Sequence, residues 1–192
     1  MGSGHKGVPR AGPGRLRIIG GEWRGRRLEF PSRPGLRPTP DRVRETLFNW
    51  LAPVLPGARC LDLFAGSGCL GLEALSRGAA EAWLVEADPV LARVLGEHVA
   101  TLGANARVIR DDARRLLKRL EASDERFDVV FVDPPYREPI EPWLERVARV
   151  LAPGAQVYVE RPLPGGLPDP VDGEWRKRAR AGGVEFGLLT AE

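Results

Sequence analysis

Cysteine and histidine are almost missing from this 192-residue chain, which has two of each. Cys60 and Cys69 stand nine positions apart, one in an expected strand and one at an expected helix start. That spacing suggests neither a disulfide framework nor a zinc site, so both read as packing residues. His5 falls in a Gly- and Pro-rich leader and His98 on an expected helix; no metal site and no Ser-His-Asp arrangement follow from so few. No apolar run approaches the roughly 20 residues that span a bilayer, and the N-terminus lacks the apolar stretch of a signal peptide. A soluble cytoplasmic protein is expected. Lysine is scarce as well, 3 against 26 arginines, and no internal repeat is visible.

What is present suffices for a core, since a hydrophobic content of 43% suits one domain of ordinary size. Charge is unevenly spread: residues 1–50 hold eleven basic and four acidic residues, whereas 51–192 hold 18 basic and 22 acidic. A basic front on a mildly acidic body suits contact with a polyanion, because phosphates attract clustered arginines. The competing reading is a general enrichment of Arg along the chain.

Residues 1–14, "MGSGHKGVPRAGPG", have almost nothing to bury and are expected to be a disordered leader. "RLRIIGGEWRGRRLEF" follows, with Arg15, Arg17, Arg24, Arg26 and Arg27 interleaved among Ile18, Ile19, Trp23 and Leu28. Two strand-like pieces around Gly20-Gly21 predict a small basic β-hairpin, an arm over 15–37 whose five arginines would grip phosphate. "PSRPGLRPTP" reads as a rigid connector, and Asp41 begins a helix through about Leu51 with Val43, Leu47, Trp50 and Leu51 on its apolar face. From Ala58 onward, strand candidates at 59–64, 81–86, 106–111, 127–133 and 155–160 alternate with helical stretches near 69–77, 88–102, 112–122 and 139–151. Such alternation predicts parallel strands with right-handed crossovers, an open α/β sheet covered on both faces. Beyond the Pro-rich "RPLPGGLPDP", segments 174–180 and 184–190 flank Gly182-Gly183 with no helix between them, predicting a terminal hairpin and an antiparallel edge.

"CLDLFAGSGCLGLEAL" puts a Gly-rich turn between the first core strand and its helix, where open α/β sheets bind ligands. Gly66-x-Gly68-x-x-Gly71 satisfies the dinucleotide fingerprint, with Glu86 where a ribose-binding acid belongs, but the motif alone is weak. Gly71 is open to a second reading, that it only permits helix packing. Asp62, four residues before Gly66, would oppose a pyrophosphate yet suits the ammonium of a methionine moiety; Asp112-Ala113, after the third strand, suits an adenine. Acids at three successive strand ends favour S-adenosylmethionine over a dinucleotide.

The fourth strand ends in "FVDPPY". An exocyclic base amine is a poor nucleophile because its lone pair is delocalised into the ring. The Asp133 carboxylate and the Pro134 carbonyl can accept its two hydrogens and aim the lone pair at a methyl donor. Pro134 and Pro135 offer no competing N–H, and Tyr136 can stack on a base removed from its helix.

Together "DLFAGSG", "VEAD", "DDA" and "FVDPPY" resemble the class I S-adenosylmethionine-dependent amino-methyltransferases. "RIIGGEWRGRRLEFP" followed by "GLRPTPDRVRETLFNWL" narrows the resemblance to RsmD-type bacterial 16S rRNA guanine-N2 methyltransferases, over about residues 15 to 190. The resemblance implies a three-layer Rossmann-like domain over 38–192 with a mostly parallel seven-stranded sheet and an antiparallel C-terminal edge. It further implies methylation of one guanine in 16S rRNA, in the 30S subunit or an assembly intermediate, by a protein expected to be a monomer. Gly66 and Gly68 would lie against the methionine portion with Asp62, Phe64 and Ala65. Glu86 and Ala87 would hold the ribose, Asp112 and Ala113 the adenine, and Asp133 to Tyr136 the guanine; Thr39 and Arg42 would cover the same pocket. Three other readings remain open on the residues alone: a DNA adenine amino-methyltransferase, for which the chain lacks room for a target-recognition insertion, a dinucleotide-dependent oxidoreductase, and a non-catalytic RNA-binding module.

Overall fold

A computed structural model describes residues 12–34, 36, 38–169 and 174–190. Most of the expected leader, residues 1–11, lies outside that set. The strands are β1 (Gly14–Arg17), β2 (Arg27–Phe30), β3 (Arg59–Asp62), β4 (Glu81–Val85), β5 (Ala106–Ile109), β6 (Phe127–Val132), β7 (Leu151–Pro162), β8 (Trp175–Ala181) and β9 (Val184–Thr190). The helices are α1 (Asp41–Leu51), α2 (Gly71–Ser76), α3 (Pro89–Leu102), α4 (Ala113–Leu120) and α5 (Glu141–Val147). Seven strands form one sheet in the order β5-β4-β3-β6-β7-β9-β8; β3 to β7 pair in parallel, while β9 runs antiparallel to both β7 and β8. The expected α/β architecture and its antiparallel edge are present. The chain lays β4 and β5 on one side of β3 and then returns to place β6 on the other, which makes the C-terminal ends of β3 and β6 the switch point where such sheets hold ligands.

Strand alternation divides the core in two. Cys60, Val129, Phe131 and Tyr158 join one buried cluster, and Leu61, Val130, Val132 and Val159 the other. Complete burial of a side chain such as Phe131 contributes about 2–3 kcal/mol. Local signals fix the helices that follow each strand. Asp88 caps α3 by accepting from the Val90 and Leu91 amides, Pro89 opens it, and Gly103 closes it in the left-handed conformation.

Several expected boundaries move by two residues or more. The helix expected to 151 stops at Val147, and after one 3-10 turn β7 starts at Leu151, because a register shift lets this strand pair with β6 on both sides of Pro153 and Gly154. The strand expected to 64 ends at Asp62, where the glycine-rich turn begins.

The hairpin β1-β2 is seated on the sheet domain, not held away from it. Leu16, Ile18, Trp23, Leu28 and Phe30 are buried in the same cluster as Val43, Leu47 and Phe48 of α1. Its turn docks on the end of α2, where the Glu22 amide donates to the Ser76 carbonyl at 2.7 Å and the Trp23 amide to Ser76 Oγ at 3.0 Å. Gly21 has φ 77°, and any Cβ there would collide with that carbonyl.

A buried ion network completes the seat. Glu73, fully buried on α2, accepts from the Ile19 and Gly20 amides at 2.8 Å each, from Arg77 Nε at 2.7 Å and from Arg44 Nη1 at 3.3 Å. Arg44 also donates to the carbonyls of Thr39 and Arg17 and to Asp41. The apolar face of α1 thus carries a buried arginine, whereas Trp50, expected in the core, is half-buried and stacks on Phe186 at 5.3 Å. The Pro-rich segment packs on the terminal hairpin: Leu167 is buried, its amide donates to Glu185, and Trp175 Nε1 donates to the Pro168 carbonyl. On the outer edge, β8 reads WRKRARA, with Arg176, Lys177, Arg178 and Arg180 exposed.

Candidate active site

The turn after β3 is a cradle of bare backbone. Gly66 and Gly68 hold φ of 52° and 82°, conformations that a side chain would strain. Gly71 serves packing, as its second reading has it, because a Cβ there would collide with Leu84 on β4. Asp62 ties the turn together, its Oδ2 accepting from the Gly71 amide at 3.1 Å and its Oδ1 from the Phe64 amide at 3.4 Å. Burial pushes the Asp62 carboxyl up to about 7, with the two amide bonds opposing the rise and Glu86 adding to it. Glu86, just past β4, accepts from the Gly66 amide at 2.9 Å and the Asp88 amide at 2.7 Å, so it braces the cradle from the neighbouring strand. Asp112 caps α4 by accepting from the Arg114 and Arg115 amides, and Ala113 is buried in the first turn. Phe64 stacks edge-on against Trp143 at 4.9 Å, while the Ala65 amide donates to the Val85 carbonyl.

The connector between hairpin and α1 lies across this cradle. Leu36 sits so close to Gly66 that a Cβ there would come within 2.8 Å of its Cδ1, and Arg33 pairs with Asp88 at 2.9 Å. Thr39 is buried and hydrogen-bonds Cys69, whose thiol burial pushes up to about 11. Arg42 is exposed, and its guanidinium makes no ion pair among the described residues.

At the end of β6, Asp133 is half-buried, Pro134 buried, and Pro135 and Tyr136 exposed, the tyrosine by 52%. Among the described residues no backbone amide donates to the Pro134 carbonyl. The Tyr136 carbonyl accepts from Arg161 Nη2 at 3.0 Å. Burial first, then the charges of Glu160 and Asp62, hold the Asp133 carboxyl well above the usual carboxylate range, with Arg161 opposing.

Glu160 was not anticipated. The β6-β7 register pairs Phe131 with Tyr158 and Val132 with Val159, so the next step brings Asp133 and Glu160 side by side. Glu160 is 3% exposed, its Oε2 accepts from the Tyr158 hydroxyl at 2.7 Å, and burial raises its carboxyl too. The signal was available, since an acid at the end of a parallel strand is the feature that singled out Glu86 and Asp133.

Of the five hairpin arginines, Arg24, Arg26 and Arg27 are exposed with no ion pair among the described residues. Arg15 is paired with Glu29 at 3.1 Å and Arg17 with Asp41 at 2.9 Å.

Comparison with known proteins identifies the lineage. The family described as Conserved hypothetical protein 95 matches residues 16–189. Over 190 residues the chain is 48% identical to Ribosomal RNA small subunit methyltransferase D of Escherichia coli (strain K12), covering 95% of this chain and 93% of that protein. The solved structure of yhhF from Escherichia coli superposes with a TM-score of 0.81 at 48% identity, covering 93% of this chain and 99% of that one. A Thermus thermophilus 16S rRNA N2 guanine methyltransferase, RsmC, solved with AdoMet and guanosine, shares the fold at a TM-score of 0.67 and 19% identity, over 94% of this chain and 50% of that one. A cradle of left-handed glycines, acids at the ends of adjoining parallel strands and Asp-Pro-Pro-Tyr at the switch point are thus set in a chain that belongs to the Conserved hypothetical protein 95 family, the RsmD-type methyltransferases.

Proposed function

We propose that this protein transfers a methyl group from S-adenosylmethionine to the exocyclic N2 amine of a guanine in 16S rRNA. The observation that carries the reading is the placement of Asp133-Pro134-Pro135-Tyr136 at the switch point, beside the glycine cradle and Asp62. The name of the Escherichia coli relative supports ribosomal RNA as the substrate. The residues fit the cofactor: bare backbone at Gly66 and Gly68 admits close approach, and acids at the ends of β3 and β4 suit an ammonium and ribose hydroxyls. When bound, that cofactor supplies an electrophilic methyl on a sulfonium.

The chain's own residues prepare the acceptor. Tyr136 offers an exposed ring on which an extruded base can stack. Asp133 and the Pro134 carbonyl accept the two amine hydrogens and hold the nitrogen toward sp³ geometry, and the prolines keep both acceptors rigid. As the N–CH3 bond forms and the S–CH3 bond breaks, the amine acquires positive charge and releases a proton. Asp133, made more basic by its surroundings, receives it. Arg24, Arg26 and Arg27, exposed on the hairpin, are free to grip rRNA phosphates. A monomer acting in the cytoplasm on an assembled or partly assembled 30S particle fits this arrangement.

The test is transfer of tritiated methyl to small subunits from cells lacking this gene, with mass spectrometry of nuclease digests. N2-methylguanosine at a single site is expected. Methyl transfer to DNA adenine instead, or RNA binding without any binding of S-adenosylmethionine, would overturn the reading.

A further inference from the structure

Two acids in the site have acceptor oxygens left open. Asp133 accepts no hydrogen bond from any described residue, and of the two Glu160 oxygens only Oε2 receives one, from Tyr158. Acceptors left open at the switch point suit a ligand that brings donors with it. Beside them Arg161 has the reverse deficit, a buried Nη1 with no acceptor among the described residues, although its Nη2 is held over the Asp-Pro-Pro-Tyr turn by the Tyr136 carbonyl.

The Watson–Crick edge of guanine presents an acceptor, O6, followed by donors at N1–H and at the N2 amine. Asp133 and the Pro134 carbonyl account for the amine, which leaves N1–H and O6 unread. Glu160 stands one strand over from Asp133 on the same sheet face, reaches one methylene further, and has its open Oε1 fixed by the Tyr158 bond to Oε2. We propose that Glu160 accepts the N1–H of the target guanine, with Arg161 Nη1 donating to O6, so that this pair sets the choice of guanine over other amine-bearing purines. The inference rests on the guanine-N2 reading above. Adenine, whose N1 is a bare acceptor, would face the Glu160 carboxylate lone pair to lone pair and leave it unpaired. A site built to bind an N–H rejects analogues that lack it strongly.

The test uses small subunits reconstituted with 16S rRNA carrying either guanosine or 2-aminopurine riboside at the methylated position. The analogue keeps the 2-amine and loses N1–H and O6. The wild-type enzyme is expected to favour guanosine by roughly 100-fold or more in kcat/KM. In Glu160→Gln the ratio should shrink at least about tenfold, because an amide can donate to the bare N1 as well as accept from N1–H. The substitution is isosteric and keeps an acceptor for Tyr158, so binding of S-adenosylmethionine by calorimetry should stay within about threefold. An unchanged guanosine-to-analogue ratio overturns the proposal, and a loss of cofactor binding with that ratio intact assigns Glu160 to the cofactor instead. Should Glu160→Gln fail to fold, Tyr158→Phe decides by the same ratio, with a smaller contraction expected and none overturning the idea. Absence of N2-methylguanosine from wild-type enzyme on guanosine particles would defeat the parent reading, an outcome distinct from either.

Discussion

Glu73 and Glu160 are both buried glutamates on the same side of the sheet, and their surroundings differ in kind. Glu73 has four donors within 3.3 Å, two of them guanidinium groups, and Arg44 opposite it is satisfied in turn by Asp41 and two carbonyls. Glu160 has one hydroxyl, and its neighbour Asp133 has no donor at all among the described residues. The first arrangement leaves nothing for a ligand to supply; the second is incomplete without one. Burial of charge marks a site only where the hydrogen bonding is left open.

Breaking the open side should cost chemistry. Asp133→Ala is expected to lower kcat about 1000-fold while S-adenosylmethionine binding is retained, measured by single-turnover methyl transfer and calorimetry. Breaking the closed side should cost structure. Glu73→Ala strands Arg44 and two amides in the core and is expected to lower unfolding free energy by about 3–5 kcal/mol in urea titration; a loss below about 1 kcal/mol would erase the contrast between the two acids.

Asp62 stands between these cases, with two amide donors but no cation in hydrogen-bond contact, and pH can sharpen its position. Its folded value, about 7, exceeds the ordinary 3.8, so the folded state binds the extra proton between those limits and stability falls as pH rises through that window. Glu86 is the acidic group that reinforces this, and the Gly71 and Phe64 amides oppose it. Asp62→Asn should flatten the pH dependence of thermal unfolding between pH 4 and 7, removing up to roughly 3–4 kcal/mol of it.

The smallest effects belong to the hairpin surface. Arg24→Ala, Arg26→Ala and Arg27→Ala should each reduce the salt slope of particle binding by about 1, with stability changed by less than about 0.5 kcal/mol. Arg15→Ala should do less to binding, since Glu29 already holds that guanidinium. Equal effects at Arg15 and Arg26 would mean that ion pairing within the hairpin does not decide which arginines meet RNA.

The sequence made plain what depends on short-range pattern. α1 runs from Asp41 to Leu51 as periodicity predicts, and the Gly-rich turn, the Asp-Pro-Pro-Tyr segment and the terminal hairpin stand where spacing puts them. Partners distant in the chain were not legible. Arg44 sits among polar residues of an amphipathic helix and reads as solvated, yet the glutamate that draws it inward lies 29 positions away. Trp23 reads as part of an exposed arm, and only the docking of its amide on Ser76, 53 positions on, shows why it is buried. Glu160 lies just past the last β6–β7 pair, two residues short of the end of β7, and its value as a neighbour of Asp133 depends on that register, which periodicity within one strand does not report.

The outer strand β8 carries four cations in seven residues and, among the described residues, pairs with one strand, β9. A sheet edge of this length is a template on which a second chain can add a strand. Antiparallel addition of another β8 would bring the cations of two such strands together, and like charges directly opposite one another disfavour that pairing. The charge of β8 thus guards the sheet edge against pairing with a second copy of itself.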